Sequence, residues 1–453
     1  MNPALLRTLW HLKHWRDKGL LETLRQVERN QWLSADELGD LTWEKQKSLV
    51  AYAYERSSFY RRKYEAVGFQ PGDLKSPEDF VRLPILTKEE IREHVDEMVA
   101  EGVEPSRLVK RFTGGSTGIP LMIYHDARAA NCNWALYLRT IGRWDIRFGD
   151  KVAHIWGLNP ANQGSLYHRQ AWWQRALKND VLLDAFDLTQ SKMQDFAHLL
   201  RRFRPKLIIS YSSALVAFAE FLEDSGGAGF SPQSIWLTAE VTFDPQRELI
   251  EQVFRAPVYD QYGSVEIPHY AVECSCREGL HIDADFRKVE VVDERGRSLP
   301  QGETGQIVVT DLLNYASPLI RYRNEDTGSL IAGSCSCGRG LPIMNKVAGR
   351  ISDMFILPDG SQIHSERFTH FFKYNPDEVK TFQVHQIAPD RVVVRIVPTS
   401  TCKRESFSDR ALESFREYTK GQVHFDIQFV DSISKEASGK YRFTKSDVSP
   451  RRG

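Results

Sequence analysis

The chain lacks any long apolar run, because none of its segments reaches the ~18 consecutive apolar residues that a membrane-spanning helix needs. It also lacks an excess of charge, since 60 Lys and Arg residues balance 60 Asp and Glu residues among 453 positions. A protein that binds nucleic acid through its phosphates is normally basic, so nucleic-acid binding is disfavoured. Internal repeats and low-complexity segments are missing too, which argues against a repeat architecture.

The first twenty residues lack the continuous apolar core of a signal peptide, because basic residues between Arg7 and Arg16 interrupt it. The apolar residues between Leu5 and Leu12 can form an amphipathic helix that touches a membrane, or a helix that packs on its own domain. We therefore expect a cytoplasmic protein without stable membrane insertion. In that reducing location the six cysteines are interpreted as thiols or metal ligands before disulfides.

The sequence does contain enough apolar material for a large core: 41% of its residues are hydrophobic, with 10 Trp, 16 Tyr and 24 Phe. Its length corresponds to roughly three domains. We predict an α/β fold with a large N-terminal domain of mostly parallel sheets, residues 1–348, and a small mobile C-terminal α+β lobe, residues 349–453. Within the large domain we expect a helical start (1–100), an α/β core (101–278) and a β-subdomain (279–348).

The periodicity of the apolar residues supports this division. Residues 43–66 and 87–100 are predicted to be helical, the second segment starting with a capping box formed by Thr87 and Glu90. In the core, short β-branched runs alternate with helical stretches, which is typical of a parallel sheet. After residue 279 the runs alternate in polarity around turns, as in antiparallel hairpins. The strand-like runs are 121–124, 151–156, 206–211, 235–238, 281–286, 289–293, 306–311, 382–386, 392–397 and 423–430, and the later helices are 192–204, 245–254 and 406–420.

A loop rich in glycine and hydroxyl groups follows the helical start. Glycines let backbone N–H groups approach a phosphate closely, and the hydroxyls add further donors. A plain turn would explain two glycines, whereas three glycines among three hydroxyls favour a phosphate cradle. The loop is not a Walker A motif, because the Lys-Ser/Thr pair after the last glycine is missing. The residues of the predicted cradle are Thr113, Gly114, Gly115, Ser116, Thr117 and Gly118.

Five motifs occur in an order that resembles the adenylate-forming superfamily of acyl-CoA ligases. They are TGGSTGIP (113–120), YGSVE (262–266), RYRNED (321–326), GRISD (349–353) and SGK (438–440). Within that superfamily the chain is similar to the phenylacetate-CoA ligase branch, and more narrowly to its capsule-biosynthesis (CapK-like) members. Segments 51–60 and 83–88 are similar to that branch as well, so the resemblance covers essentially the whole chain.

The resemblance implies that ATP activates a carboxylic acid as an acyl-AMP and that the acyl group then passes to a thiol, usually that of CoA. The loop of residues 113–118 would hold the departing phosphates. Glu266 would bind Mg²⁺, which prefers oxygen ligands; its plain alternative is a surface carboxylate. Tyr262, followed by Gly263, would stack on adenine, or would simply be a buried tyrosine after a strand.

Three further residues receive roles from the resemblance. Asp326 would accept hydrogen bonds from both ribose hydroxyls, and it is chosen over Glu325, although the sequence has Asn-Glu where Thr-Gly is usual. Arg350 would add positive charge near the ribose or phosphates, in a segment (349–353) that would be the hinge. Lys440 would bridge the substrate carboxylate and the α-phosphate during adenylation. A lysine near a terminus is otherwise usually just solvated.

Two Cys-x-Cys pairs, in separate turn regions, form a second constellation. Their four thiolates can converge as a tetrahedral site, for which Zn²⁺ is the best match. Unrelated free thiols are the alternative, and the resemblance to phenylacetate-CoA ligases makes His281 a competing fourth ligand, since some relatives carry a histidine in place of one cysteine. Such a zinc would hold the β-subdomain together without taking part in chemistry. The predicted ligands are Cys274, Cys276, Cys335 and Cys337.

Residues directly after predicted strands are candidates for the walls of the acyl pocket or acceptor tunnel, or for contacts to adenine. For Trp156, packing in the core of the domain is an equal alternative. The pocket candidates are His154, Trp156, Tyr211 and Ser212, and the adenine candidates are Ala239 and Glu240.

We therefore expect an AMP-forming acid–CoA ligase that uses ATP, Mg²⁺, CoA and a structural Zn²⁺. The alternative is an adenylyl- or amide-forming transferase of the same superfamily that acts on a non-CoA acceptor, for example in polysaccharide or secondary-metabolite assembly. A degenerate scaffold is disfavoured because it would need none of Glu266, Asp326 and Lys440. The partners are a small carboxylic acid and the acceptor. The sequence leaves open the acid, the acceptor and whether the chain is a homodimer.

Overall fold

The structure is a computed structural model. It describes residues 18–112, 121–157, 179–185, 187–239, 242, 244–345, 354–364, 366–373, 375, 377–433 and 444–448. The α-helices are α1 (Lys18–Asn30), α2 (Ala35–Arg56), α3 (Ser58–Glu65), α4 (Lys88–His94), α5 (Ala127–Gly142), α6 (Gln190–Phe203), α7 (Ser212–Asp224), α8 (Asp244–Phe254), α9 (Glu366–Lys373) and α10 (Arg404–Thr419).

The strands of the large domain are β1 (Val109–Phe112), β2 (Met122–His125), β3 (Val152–Trp156), β4 (Asp180–Asp184), β5 (Leu207–Tyr211), β6 (Ser234–Thr238), β7 (Val258–Tyr262), β8 (Ala271–Glu273), β9 (Leu280–Ile282), β10 (Arg287–Val292), β11 (Gly305–Asp311), β12 (Tyr322–Gly328), β13 (Leu330–Ile331) and β14 (Ile343–Met344). Those of the C-terminal part are β15 (Met354–Ile356), β16 (Gln362–His364), β17 (Val379–Ala388), β18 (Arg391–Pro398), β19 (His424–Phe429) and β20 (Thr444–Ser446).

Between residues 18 and 100 the chain forms mostly helices, and α2, α3 and α4 each begin at a polar capping residue. The predicted capping box of Thr87 and Glu90 is present at α4. Residues 43–66 were expected to form one helical run, but α2 and α3 are separated at Ser57. Its backbone is extended there, and its side chain accepts a hydrogen bond from Tyr60 N at the start of α3. A serine that caps the next helix is the physical reason for the break.

The central sheet confirms the α/β prediction. Its order is β13-β14-β9-β8-β7-β6-β5-β3-β4, and the strands β4, β3, β5, β6 and β7 pair in parallel. All five residues of both β5 and β6 are buried, as expected for parallel strands covered on both faces. Ile208 and Ile235 pack in one apolar cluster with α7, whereas Leu207 and Trp236 pack in another with α5.

The predicted β-subdomain is only partly separate from this sheet. Strands β10, β11 and β12 form an antiparallel sheet of their own. Strands β9 and β14, however, pair antiparallel with each other, and β9 also pairs with β8, so both extend the central sheet. The expectation of a single run at 281–286 was therefore wrong, since β9 ends at Ile282 and a turn leads into β10.

A buried ion network joins the helical start to the sheet. Arg139 of α5 pairs with Asp283 at 2.8 Å and with Asp285 at 2.9 Å, and Arg143 pairs with Asp283 at 3.0 Å. Arg139 also donates to the carbonyl of Val27 in α1 at 3.0 Å. Buried charges are tolerated only when paired, so this network fixes the positions of α1, α5 and the β9–β10 turn.

The C-terminal residues form an apolar cluster and a sheet of their own, of order β19-β18-β17-β20. Helices α9 and α10 contribute Phe368 and Phe415 to that cluster. The predicted strands and helix of this lobe are present: β17 and β18 are longer than expected, β19 is shorter, and the helix begins and ends slightly earlier. Helix α9 and the β15–β16 hairpin were not predicted. Among the described helices, none combines the length and apolarity needed to cross a bilayer.

Candidate active site

The candidate site lies at the carboxyl edge of the parallel strands. Because β3, β5, β6 and β7 run in the same direction, their last residues and the loops that follow meet at one edge of the sheet, where ligands of such folds collect. Trp156 ends β3 and Tyr211 ends β5, and the centroids of their two rings lie 4.5 Å apart. Ala239 follows β6 with a positive φ of 69°, so the chain turns sharply there.

The YGSVE motif is a tight turn that begins at the end of β7. A Cβ on Gly263 would lie 2.2 Å from the carbonyl oxygen of Pro268, so no larger residue fits. Ser264 N donates to Ile267 O at 2.9 Å, and Tyr270 N donates to Tyr262 O at 3.0 Å. The turn therefore fixes where the Glu266 side chain leaves the backbone.

Glu266 is 5% exposed, so it is not the surface carboxylate of the alternative interpretation. Its Oε1 accepts a hydrogen bond from the Tyr322 hydroxyl at 2.7 Å. Burial and the charge of Glu266 raise the pKa of Tyr322, so the phenol stays protonated and donates. The Glu266 carbonyl accepts from His125 Nε2 at 2.9 Å. Since His125 ends β2, this bond ties the strand that follows the glycine-rich loop to the YGSVE turn.

Asp326 is joined directly to the same turn. Its Oδ2 accepts hydrogen bonds from the Tyr262 hydroxyl at 2.9 Å and from Asn324 Nδ2 at 3.0 Å. Burial and the neighbouring Asp326 carboxylate raise the pKa of Tyr262. The Tyr262 ring also lies 4.8 Å from that of Tyr270. Glu325 instead pairs with Lys88 at 2.7 Å, so the geometry favours Asp326 as the acidic group of the site.

The structure does not place every predicted residue. Phe112 pairs with Met122 in the β1–β2 hairpin, so the glycine-rich loop connects two antiparallel strands. The loop itself and three other predicted residues lie outside the described residues, as does the apolar segment 5–12. The predicted residues concerned are Thr113, Gly114, Gly115, Ser116, Thr117, Gly118, Glu240, Arg350 and Lys440.

Of the pocket candidates, Trp156, Tyr211 and Ser212 lie at the expected edge, whereas His154 lies in the middle of β3. His154 Nε2 lies 4.0 Å from Asp180 Oδ1 of the neighbouring strand β4. Tyr211 is 8% exposed and Ser212 is 1% exposed, and among the described residues the Ser212 hydroxyl has no hydrogen-bond partner. Trp156 is partly buried against the sheet's apolar cluster, as core packing predicts.

A second cluster lies where β8, β9 and the loop before β14 meet. Ligand atoms of Cys274, His281, Cys335 and Cys337 all lie within 4.8 Å of one another. Cys276, one of the four predicted ligands, is exposed and not part of this group. Its backbone N–H donates instead to Cys274 Sγ at 3.4 Å. In this geometry the competing residue His281 takes the fourth position, because the first Cys-x-Cys turn directs only one of its sulfurs inward.

The distances within the cluster suit a tetrahedral ion. Cys274 Sγ lies 3.6 Å from Cys335 Sγ, and Cys337 Sγ lies 3.3 Å from His281 Nε2. Zinc bonds of ~2.3 Å to sulfur and ~2.0 Å to nitrogen imply about 3.8 Å and about 3.5 Å for these pairs. Burial lowers the pKa of His281 to about 4, which keeps the imidazole neutral and able to act as a ligand. The donor set therefore fits zinc.

Sequence reasoning missed four residues in and around the first of these two sites. His125, Lys88, Tyr322 and Asn324 had no assigned role, although the last two belong to the RYRNED motif and Lys88 ends the segment 83–88. Their contacts span separations such as 141 residues between His125 and Glu266 and 237 between Lys88 and Glu325. Only the position of each residue within a recognised segment could have drawn attention to it.

Comparison with known proteins supports the resemblance. A family model for the CapK C-terminal domain matches residues 355–447. A phenylacetate-coenzyme A ligase of Thermus thermophilus is 28% identical over 364 residues, covering 78% of this chain and 79% of the relative. Protein CapK of Staphylococcus aureus is 22% identical over 379 residues, covering 81% of this chain and 80% of the relative.

A solved structure of 2-hydroxyisobutyryl-CoA ligase, in complex with 2-HIB-AMP and CoA in the thioesterification state, has a similar fold. It gives a TM-score of 0.65 with 22% identity, and the match covers 92% of this chain and 91% of that one. The expected family resemblance and fold class are thus confirmed.

Proposed function

This chain is a homologue of the phenylacetate-CoA ligases that carries a CapK C-terminal domain, and on that premise we propose that it is an ATP-dependent, AMP-forming acid–CoA ligase. Its substrate is a small carboxylic acid, for which the homologues suggest an aryl acid.

The observation that carries the proposal is the junction of the two motifs YGSVE and RYRNED. Two hydrogen bonds connect them: Tyr262 to Asp326 at 2.9 Å and Tyr322 to Glu266 at 2.7 Å. The partners are 64 and 56 residues apart in the chain. Each motif therefore places a carboxylate at the same edge of the sheet, which suits one ligand that presents both a ribose and phosphates.

In the proposed reaction, a carboxylate oxygen of the acid attacks the α-phosphorus of ATP, and the bond to the β-phosphate breaks to release pyrophosphate. The sulfur of CoA then attacks the acyl carbon, and AMP leaves. The 113–118 loop would hold the departing phosphates, Asp326 the ribose and Tyr262 the adenine. Lys440 would neutralise charge between the two reacting anions, and Arg350 would lie near the nucleotide.

We assign the divalent cation of the reaction to Glu266. Bound Mg²⁺ would neutralise negative charge on the phosphate oxygens. The fit rests on the donor chemistry, because Mg²⁺ needs hard oxygen ligands and the Glu266 carboxylate is oriented by the neutral Tyr322 hydroxyl. The protein's own contribution is this orientation, together with the His125 bond that fixes the Glu266 backbone.

We also assign a structural zinc to Cys274, His281, Cys335 and Cys337. It would contribute folding free energy by joining β8, β9 and the loop before β14, without a role in chemistry. The loop that carries Cys335 and Cys337 also packs against the α1–α2 turn, since Gly340 N donates to Gln31 O at 3.1 Å.

A non-CoA acceptor remains the second candidate, because the matched C-terminal domain is of the CapK type and Protein CapK is a relative. The two candidates share the first half-reaction and differ in the second. Acceleration of AMP release by CoA supports the ligase, whereas release that responds only to an amine or hydroxyl acceptor supports the transferase.

The decisive experiment is ATP–pyrophosphate exchange with the purified chain across a panel of aryl, acyl and amino acids. We expect at least one acid, with aryl acids the first choice, to support exchange that requires Mg²⁺. AMP release with and without CoA is then measured on that acid. A panel without any acid-dependent exchange, in a preparation that is folded by circular dichroism, contradicts the proposal.

A further inference from the structure

The residues around Asp326 form an unusual irregularity in the β11–β12 pair. Gln306 pairs with Thr327 and Val308 pairs with Arg323. Between these pairs β11 has the single residue 307, while β12 has the three residues 324–326. These three residues, which we call the ribose bulge, therefore lie out of register with the sheet. Bulges of this kind redirect side chains next to active sites.

The centre of the ribose bulge is held in a backbone conformation that ordinary residues avoid. Glu325 has a φ of 71°, in the left-handed region where a Cβ is disfavoured and glycine is not. Such a conformation persists only when its surroundings impose it. The surroundings of Glu325 therefore have to supply the stabilisation that its own backbone lacks.

That stabilisation comes from a distant segment of the helical start. Lys88, the first residue of α4, is 7% exposed, and its ammonium pairs with the Glu325 carboxylate at 2.7 Å. The preceding residues align with β12, since Leu86 N donates to Arg321 O and Arg323 N donates to Leu86 O, both at 2.9 Å. Segment 83–88 thus lies along the start of β12 and brings Lys88 to the bulge.

Arg321 fixes the other end of this arrangement. It is 2% exposed, and its Nη1 donates to the carbonyls of Val81 and Leu83, each at 2.5 Å. Its guanidinium also pairs with Glu290 at 3.1 Å. The segment that carries Lys88 is therefore held at Val81, Leu83 and Leu86, so the ammonium is presented to Glu325 from a rigid support.

We propose that Lys88 and Glu325 are positioning residues for the nucleotide: their ion pair holds the ribose bulge so that Asp326 can accept hydrogen bonds from both ribose hydroxyls. This inference rests on the proposed function, since it needs Asp326 to bind ribose. The pair acts through the backbone on Asp326, whose own hydrogen bonds from Tyr262 and Asn324 set its side chain.

The test compares the binding of ATP and of 2′,3′-dideoxy-ATP to the full chain, without any acid, by isothermal titration. The wild-type protein should prefer ATP by at least about tenfold, because only ATP offers the hydroxyls. Lys88→Met should reduce that preference to about twofold while dideoxy-ATP binds nearly as before, since loss of the ion pair displaces only the ribose contact.

Two further variants separate positioning from a general loss of stability. In Lys88→Met/Glu325→Gly, glycine adopts the positive φ without cost and leaves no unpaired carboxylate, so most of the preference for ATP should return. Lys63→Met is the matched control, because Lys63 is 11% exposed and pairs with Glu90 of the same helix α4. It should lower the melting temperature and leave the preference for ATP intact.

An unchanged preference in Lys88→Met, or no recovery in the double variant, would overturn the positioning role. If the wild-type protein binds ATP but does not prefer it over dideoxy-ATP, Asp326 does not bind ribose and the positioning role is rejected with it. In that case acid-dependent exchange still decides the proposed function, because the exchange reaction does not depend on that preference.

Discussion

At the scale of single residues, the carboxylates proposed to bind ligands differ from the structural carboxylate of Asp283 in the donors that orient them. Glu266 and Asp326 accept from the neutral hydroxyls of Tyr322 and Tyr262. Asp283, by contrast, pairs with two buried arginines. A neutral donor orients a carboxylate without pairing it with an opposite charge, which leaves it available to a cation or to ribose hydroxyls.

The first prediction concerns Glu266→Gln. An amide is a weaker ligand for Mg²⁺ than a carboxylate, so we expect acid-dependent pyrophosphate exchange to fall about 100-fold and the Mg²⁺ concentration for half-maximal rate to rise about tenfold. Titration of Mg²⁺ in the exchange assay measures both changes.

Tyr322→Phe is the companion variant, because it removes the hydrogen bond to Glu266 and keeps the carboxylate. Its exchange rate should fall by less than about tenfold, as expected for one lost hydrogen bond. A Glu266→Gln protein with an unchanged Mg²⁺ requirement would show that the cation binds elsewhere.

At the scale of secondary-structure elements, the cysteine-bearing turns have equivalent local geometry. Cys276 N donates to Cys274 Sγ at 3.4 Å, and Cys337 N donates to Cys335 Sγ at 3.5 Å. The second turn directs both of its sulfurs into the cluster, whereas the first directs only Cys274. His281 from β9 completes the set, so three separate elements meet at one point.

The second prediction follows from this geometry. The freshly purified protein should contain about one zinc per chain, and His281→Ala should lose most of it because a structural site needs all four ligands. Elemental analysis of the metal and the melting temperature are the measurements.

Cys276→Ala is the control for the zinc prediction, since it removes a cysteine of the same Cys-x-Cys pair that lies outside the cluster. We expect its zinc content and its melting temperature to match the wild-type values. Loss of zinc in Cys276→Ala, with zinc retained in His281→Ala, would favour the original four-cysteine set.

The third prediction concerns the ion network that holds α1, α5 and the β9–β10 turn. Asp283→Asn leaves Arg139 and Arg143 without one of their buried counter-charges, so the free energy of unfolding should fall by about 3–5 kcal/mol. Glu104→Gln, in an exposed pair with Arg107, should change it by at most ~1 kcal/mol. Urea denaturation measures both.

The network also predicts a pH dependence. Burial raises the pKa of Asp283, but the charges of Arg139 and Arg143 outweigh burial and hold it below the ordinary value. A carboxylate with a lowered pKa stabilises the fold above the pKa of the unfolded chain, about 4, and this contribution is lost as the pH falls below it. The difference between wild-type and Asp283→Asn should therefore shrink below that pH.

At the scale of the whole molecule, the chain combines a large α/β domain with a C-terminal sheet that has its own apolar cluster. Lys440 lies between β19 and β20 in the sequence, so it belongs to the C-terminal part, while Glu266 and Asp326 belong to the large domain. The proposed chemistry thus needs both parts, because the role proposed for Lys440 would bring a residue of the C-terminal part to the carboxylates of the large domain.

The fourth prediction tests this division of roles. Lys440→Ala should reduce pyrophosphate exchange at least about 1,000-fold, because the charge between the reacting anions is lost. The dissociation constant for ATP should change by less than about threefold, since most of the proposed nucleotide contacts belong to the large domain.

Lys445→Ala is the matched control for Lys440, because Lys445 lies on β20, is 39% exposed and pairs with Asp447 at 3.5 Å. Its exchange rate should stay within about threefold of wild-type. Unchanged exchange in Lys440→Ala would remove that residue from the proposed catalytic set.

Most of the fold could be predicted because its causes are local. Apolar periodicity is a property of neighbouring residues, and it identified the parallel strands β3, β5 and β6 and the helices α6 and α8, although it gave no run for β4, β7 or α7. The capping box at Thr87 was identified for the same reason. Where a distant contact intervenes, prediction failed: β9 and β14 join the central sheet through pairings that no local pattern records.

The sequence by itself determined which residues with functional chemistry are present and in what order, since the motifs and their order can be identified without any knowledge of contacts. Tertiary structure alone decided that His281 rather than Cys276 faces the other thiols, that Lys88 meets Glu325, and that His125 meets Glu266. The physical reason is that these are contacts between segments far apart in the chain. Their geometry depends on how several elements pack together, which spacing within one segment does not encode.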